Sequence, residues 1–171
     1  MEIPITEEAD AMKAVVAYSS VYGNTKLVAE AVAEQMRADG VEVELVGLDE
    51  GTPGSVTGDF MFVGSPTRGG RPTKKAKRFL EELNVEAWRN KPIVLFDTVG
   101  PLPMDAEKRK IWLSRIDKGA ATRMQSLMNE RGLSAHSELL HIAVTGFKGP
   151  LAVDALDIAK AFTKKFVSGL K

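Results

Sequence analysis

Between Tyr18 and Lys26 the chain reads Ser19-Ser20-Val21-Tyr22-Gly23-Asn24-Thr25. Ser19, Ser20, Asn24 and Thr25 carry side-chain hydrogen-bond donors, and Gly23 permits a tight turn with close backbone approach. If a helix begins here, its first N–H groups lack partners and its dipole favours negative charge. The two together make an anion site suited to one terminal phosphate. Known nucleotide loops do not match. A P-loop needs G-x-x-x-x-G-K-[ST], whereas Lys26 follows Thr25 instead of preceding it. The dinucleotide fingerprint G-x-G-x-x-G is also absent. The plain alternative is a turn with Asn24 or Ser20 capping a helix.

Two further loops follow apolar runs. Ser65-Pro66-Thr67-Arg68-Gly69-Gly70 comes after Asp59–Gly64, and Thr98-Val99-Gly100-Pro101 comes after Lys91–Asp97. Neither carries an acid–base or nucleophile constellation. There is no G-x-S-x-G elbow, because Pro66 follows Gly64-Ser65. Asp97 at a strand end reads as a loop cap rather than a catalytic base. His136 and His141 read as structural. No catalytic residue and no metal site is expected.

The elements that must position these loops follow from hydrophobic patterning. Lys13–Tyr18 is a short buried strand, and Thr25–Asp39 is a helix with Leu27, Val28, Ala31, Val32 and Met36 on one face. Val41–Leu48 alternates apolar and acidic residues like an edge strand. Asp59–Gly64, Lys91–Asp97 and Leu139–Thr145 complete five strands. Thr73–Asn84 and Leu151–Val167 are helices, the latter with Leu151, Ala155, Ile158, Phe162 and Phe166 inward. The region 105–132 is helical and is broken at Gly119. Trp112, between Ile111 and Ile116, reads as core. Alternating strands and helices predict a three-layer, doubly wound α/β fold with a five-stranded parallel sheet in the order 2-1-3-4-5. Ligands on such sheets bind beyond the carboxyl ends of the strands, near the reversal of strand order. That point lies between the first and third strands. Residues 1–12 read as a loose leader and 13–171 as one domain.

Composition narrows the function classes. The 171 residues balance 23 basic against 23 acidic side chains, which leaves no net field to draw the molecule onto nucleic acid. Zero Cys excludes disulfides, thiolate metal sites and cysteine nucleophiles. No apolar run reaches the ~18–20 residues of a membrane span. A cytoplasmic protein with no nucleic-acid partner is the expectation.

The first loop resembles the phosphate loop of the flavodoxin family. Val16, Tyr18, Ser20, Gly23, Thr25 and Ala29 fall in register on that signature, and Ala17 departs from it by being small. The motif-level resemblance covers about residues 13–101. It implies FMN as cofactor, with Ser19, Ser20, Val21, Tyr22, Gly23, Asn24 and Thr25 around its phosphate. It places Ser65, Pro66, Thr67, Arg68, Gly69 and Gly70 beside the ring and its N5 edge. Thr98, Val99 and Gly100 would face the pyrimidine edge through backbone N–H groups. Gly69 and Gly70 can change φ/ψ at low steric cost, as a redox-responsive backbone requires.

Two features depart from simple flavodoxins. The second and third loops lack the usual aromatic ring partners, although Tyr22, Trp112 or Phe147 could approach. Arg68 and Arg71 bring positive charge where carriers are usually acidic. Positive charge near the ring favours an anionic reduced flavin, hence a less negative potential and a less stable one-electron form. The resemblance implies electron transfer, as a redox carrier with a partner protein or as a small oxidoreductase using a quinone or NAD(P)H. The neutral charge and the bare ring loops lean toward the second. A non-redox ligand-sensing or protein-binding module is the alternative. Oligomeric state stays open.

Overall fold

The structure, a computed structural model, describes residues 11–51, 55–114 and 119–170. The five strands are β1 (Lys13–Tyr18), β2 (Glu42–Gly47), β3 (Phe60–Pro66), β4 (Ile93–Val99) and β5 (Leu140–Ala143). All pair in parallel, in the order β2-β1-β3-β4-β5. The helices are α1 (Asn24–Ala38), α2 (Lys74–Glu81), α3 (Val85–Trp88), α4 (Ala106–Ser114), α5 (Ala120–Glu130) and α6 (Ala155–Leu170). A 3₁₀ turn, Leu48–Glu50, follows β2.

The central strands are apolar on both faces because both faces are covered. Val16, Phe60, Phe62, Val94 and Phe96 point into one core, shared with α1 and α6. Val15, Ala17, Met61, Val63, Ile93 and Leu95 point into a second core, shared with α2 and α5. Period-two alternation thus sorts each continuous apolar run between two layers of helix. β2 is an edge strand, and its Glu42 and Glu44 are exposed as the alternation predicts.

Register aligns the carboxyl ends of β1, β3 and β4. Tyr18 sits opposite Gly64, and Gly64 opposite Phe96. The first two loops are joined where they leave the sheet, with Ser19 N–H donating to the Gly64 carbonyl at 3.0 Å. Thr67 N–H donates to the Thr98 carbonyl at 2.9 Å, which ties the second loop to the third.

Several expectations need correction. Trp112 is not core: it is 58% exposed, and Ile111 beside it is also exposed. The buried residue of α4 is Arg109, whose guanidinium donates to the Pro103 and Met104 carbonyls and pairs with Asp154 at 3.0 Å. Leu113 of the same helix packs partly against the core, so the inward face of α4 is Arg109 and Leu113 and not Ile111 and Trp112. The buried tryptophan is Trp88, at 1% exposure, on the short helix α3. The expected helix Thr73–Asn84 ends at Glu81, and Asn84 instead caps α3 by accepting from Ala87 N–H at 3.0 Å. Leu27 on α1 and Ile158 on α6 are exposed rather than core. Before α6 the chain is extended, with Leu151 bridging antiparallel to Val144, so the helix begins later than expected. β4 runs on to Val99, so Thr98 and Val99 belong to the strand. Of the expected leader, residues 1–10 lie outside the described residues. Met12 packs against the core, and its carbonyl accepts from Glu42 N–H. Among the described residues no helix is long and apolar enough to cross a membrane.

Gly64 is the tightest point of the sheet's carboxyl edge. A Cβ there would run into the Phe96 ring, so the strand that launches the second loop has no room for a side chain. Gly64→Ala should therefore destabilise the fold by about 1–3 kcal/mol through overpacking, read as a lower urea midpoint. An unchanged midpoint would show that Phe96 yields freely.

Candidate functional site

The first loop is built to leave donors over. Ser20 Oγ accepts from the N–H groups of Gly23 (3.1 Å) and Lys26 (3.3 Å), so its own proton is available to an outside acceptor. The N–H groups of Val21, Tyr22, Asn24 and Thr25 have no acceptor among the described residues. Gly23 at the N-cap of α1 has no side chain to cap the helix, and Ser20 Oγ serves instead by accepting from Lys26 N–H in the first turn, whereas Asn24 does not cap it.

An acid holds the loop from below. Asp49, in the turn after β2, accepts from Ser20 N–H at 2.6 Å and from Ser19 Oγ at 3.2 Å. Lys75 stands 3.8 Å from the same carboxylate and balances its charge. Ser19 is fully buried and also accepts from Thr73 Oγ1 at 2.7 Å, so it braces the loop rather than facing outward. Tyr18, the last residue of β1, is buried, and burial raises its phenol above the usual value; Lys26 opposes this more weakly. The phenol thus stays neutral beneath the turn. Thr25 closes the far side through a buried 2.8 Å hydroxyl–hydroxyl bond to Thr98 on β4.

The second loop is a two-residue hairpin. Arg68 and Arg71 exchange both backbone hydrogen bonds (2.8 and 3.1 Å), with Gly69 and Gly70 between them at φ 58° and 76°. Two successive left-handed residues define a type I′ turn, the reason for Gly-Gly. Gly70 carbonyl accepts from Arg123 Nε at 2.8 Å, which pins one peptide of the turn.

The base of this loop rests on Asp97. This fully buried carboxylate accepts from Thr67 Oγ1 (3.2 Å) and Ala121 N–H (3.0 Å) through one oxygen, and its other oxygen lies 2.7 Å from His141 Nδ1. Thr67 Oγ1 in turn accepts from Ala120 N–H at 3.0 Å. Asp97 therefore joins β4, β5, the second loop and the start of α5, which agrees with the capping role read from its position. His141 is structural in the same sense, and His136 packs edge-on against Phe166.

Between the loops lies a cleft of about 240 Å³. Of the expected site residues, Ser20, Val21, Tyr22, Asn24, Thr25, Pro66, Thr67, Arg68, Gly69, Thr98 and Gly100 line it. Ser19, Gly23, Ser65, Gly70 and Val99 do not. Ser65 is buried and accepts from Thr73 N–H, and Val99 is buried within β4. Phe147, one of the aromatics expected to approach, and Val144, which was not expected, also line the cleft from the loop after β5. The usable signal was topological: in a parallel sheet the fifth strand delivers its loop to the same edge. Phe147 lies 6.2 Å from Tyr22 between ring centroids, and Lys148 carbonyl accepts from Asn24 Nδ2. Trp112, the third aromatic considered, does not line the cleft. Among the described residues no carboxylate lines it either. A larger groove of about 510 Å³ lies against α2 and α3 and shares no residue with the cleft.

A doubly wound parallel sheet with a turn of unpartnered N–H donors at its switch point is the architecture of α/β proteins that take ligands beyond their strand ends. The sequence profile of the flavodoxin domain matches residues 15–168, and the chain belongs to the flavodoxin family, whose members bind FMN. A flavodoxin of Aquifex aeolicus is 42% identical over 78 residues, covering 44% of this chain and 42% of that one. A putative diflavin flavoprotein of Thermosynechococcus vestitus is 32% identical over 88 residues, 48% of this chain and 15% of the relative. The matched segments thus span less than half the length of either relative. Two solved flavodoxins share the fold. One, from the domain Archaea, has a TM-score of 0.68 at 21% identity, covering 93% of this chain and 99% of its own. The other, from Bacillus cereus, has a TM-score of 0.69 at 19% identity with the same coverage.

The Thr25–Thr98 bond links the first loop to β4 where water is excluded. Changing either residue to Val strands the other hydroxyl, at about 1–3 kcal/mol, whereas changing both removes donor and acceptor together. In a double-mutant cycle by urea denaturation, Thr25→Val plus Thr98→Val should cost less than the sum of the single changes. Strict additivity would mean that the two hydroxyls act independently.

Proposed function

We propose that this chain binds FMN noncovalently, with the phosphate at the turn Ser20–Thr25, and acts in electron transfer as a carrier between proteins. The observation that carries the reading is the donor set. Among the described residues the N–H groups of Val21, Tyr22, Asn24 and Thr25 have no acceptor and no carboxylate lines the cleft, and the Ser20 proton is available. That set fits a phosphate dianion and disfavours a cation.

When bound, FMN supplies the redox chemistry, and the protein supplies binding, orientation and potential. Asp49 fixes Ser19 and Ser20, so the donors are arranged before the phosphate arrives. Among the described residues Tyr22 and Phe147 are the aromatic side chains that line the cleft. The hairpin's Gly69–Gly70 peptide lies beside it, held through the Arg68–Arg71 bonds and not through its own atoms. It is the peptide of this loop with freedom to answer a change of redox state.

The carrier reading rests on room. Small-molecule sites usually occupy about 300–1,000 Å³. A cleft of about 240 Å³ would be taken up by the cofactor, which supports a carrier over an enzyme that encloses a second substrate. Electrons would then pass at the exposed edge. Fold likeness extends to larger redox proteins as well: the flavodiiron core of Synechocystis has a TM-score of 0.59, with this chain spanning 36% of it.

Fluorescence titration tests the assignment. FMN should bind at least about 10-fold more tightly than riboflavin, because each hydrogen bond to a charged group is worth about 1.5–3 kcal/mol. Ser20→Ala should weaken FMN by roughly 10- to 100-fold and riboflavin far less. Equal affinity for the two, or equal weakening by the variant, would contradict a phosphate site at this turn.

A further inference from the structure

The mouth of the cleft is cationic in a molecule whose formal net charge is zero. Arg68 comes from the hairpin after β3, and its Cζ lies 5.7 Å from the Tyr22 ring centroid. Lys148 comes from the loop after β5, and its Nζ lies 5.6 Å from the same centroid. Two chain segments eighty residues apart thus place cations around one aromatic ring on a third loop. Arg71 stands at the other stem of the hairpin, and Arg123 supports its tip.

These cations have no carboxylate partner among the described residues, whereas Lys75, Arg78 and Arg109 nearby are all paired. Four acids at this end of the sheet are already engaged. Asp49 is bound to the first loop, Asp97 is buried, Asp154 holds Arg109, and Asp105 accepts from Lys108 N–H at the start of α4. Between the cations, Tyr22 is 44% exposed and Phe147 is 74% exposed. Exposed aromatics ringed by unpaired charge of one sign are the anatomy of a contact surface.

We propose that the face formed by Arg68, Arg71, Lys148, Tyr22 and Phe147 docks an acidic one-electron-transfer protein. This rests on the reading that FMN occupies the cleft. The positive rim would steer an acidic partner and orient it over the cleft mouth, and the two aromatic rings would exclude water at the centre of the contact. Each productive encounter moves one electron, so that the partner's centre is oxidised by one electron as the flavin is reduced by one.

The test uses the full chain loaded with FMN. Reduction by a prereduced, acidic plant-type ferredoxin is followed by stopped flow at 10 and 500 mM salt. A lysine-rich cytochrome c serves as the opposite-charge probe, taking electrons from the reduced protein. Electrostatic steering changes association rates by about 10- to 1,000-fold. The ferredoxin rate should therefore fall at least about 10-fold at high salt. Arg71→Glu with Lys148→Glu should produce a similar fall at low salt and raise the cytochrome c rate. FMN affinity is measured on each variant, so that a loss of cofactor is not mistaken for a loss of docking. A ferredoxin rate that is insensitive to salt and to the charge reversal would overturn the proposal, and so would one that rises with salt. Salt-sensitive reduction by NADPH with no reaction with ferredoxin would also overturn it, by assigning the cations to a small anion. Failure to bind FMN at all would sink the earlier reading instead.

Discussion

A backbone N–H that finds no acceptor in the protein must find one elsewhere, and this constraint organises the molecule. The turn after β1 gathers several such groups together with the Ser20 hydroxyl. A turn of this kind resists a cation and welcomes an anion with several oxygens. The sheet exists, functionally, to hold that turn opposite a hairpin and a third strand end. Both cores serve this by burying nearly the whole of β1, β3 and β4, which fixes where each loop leaves the sheet.

Two acids do the positioning, and neither touches the cleft. Asp49 grips the first loop from the side of β2, and Asp97 grips the second from beneath. Each carboxylate is consumed by N–H and O–H donors. A rim rich in basic residues is left without local compensation, although the chain as a whole is neutral. The charge of the mouth thus follows from how the loops are anchored, not from composition.

The layered fold was legible because buried parallel strands give short apolar runs that few other elements produce. The first loop was legible because its hydroxyl spacing is tied to a strand end and a helix start. Other features depended on contacts that spacing cannot show. Trp112 read as core because apolar neighbours at helical spacing usually mark a buried face; here the buried group is Arg109, satisfied by loop carbonyls. The roles of Asp49 and Phe147 rest on chain segments far apart meeting at one edge, Asp49 under Ser20 and Phe147 beside Tyr22. Val99 was placed in a loop because Thr98 ended the apolar run, yet β4 continues one residue past it.

The central claim is that the turn Ser20–Thr25 holds a doubly charged phosphate. Hydrogen bonds to the charged form stabilise it and lower its pKa, so the bound phosphate should remain dianionic well below the free second pKa of about 6. Phosphorus-31 NMR of the FMN-loaded protein between pH 5 and 8 reads this directly. The account predicts a resonance whose position does not move across that range. A resonance that titrates near pH 6, as free FMN does, would contradict it.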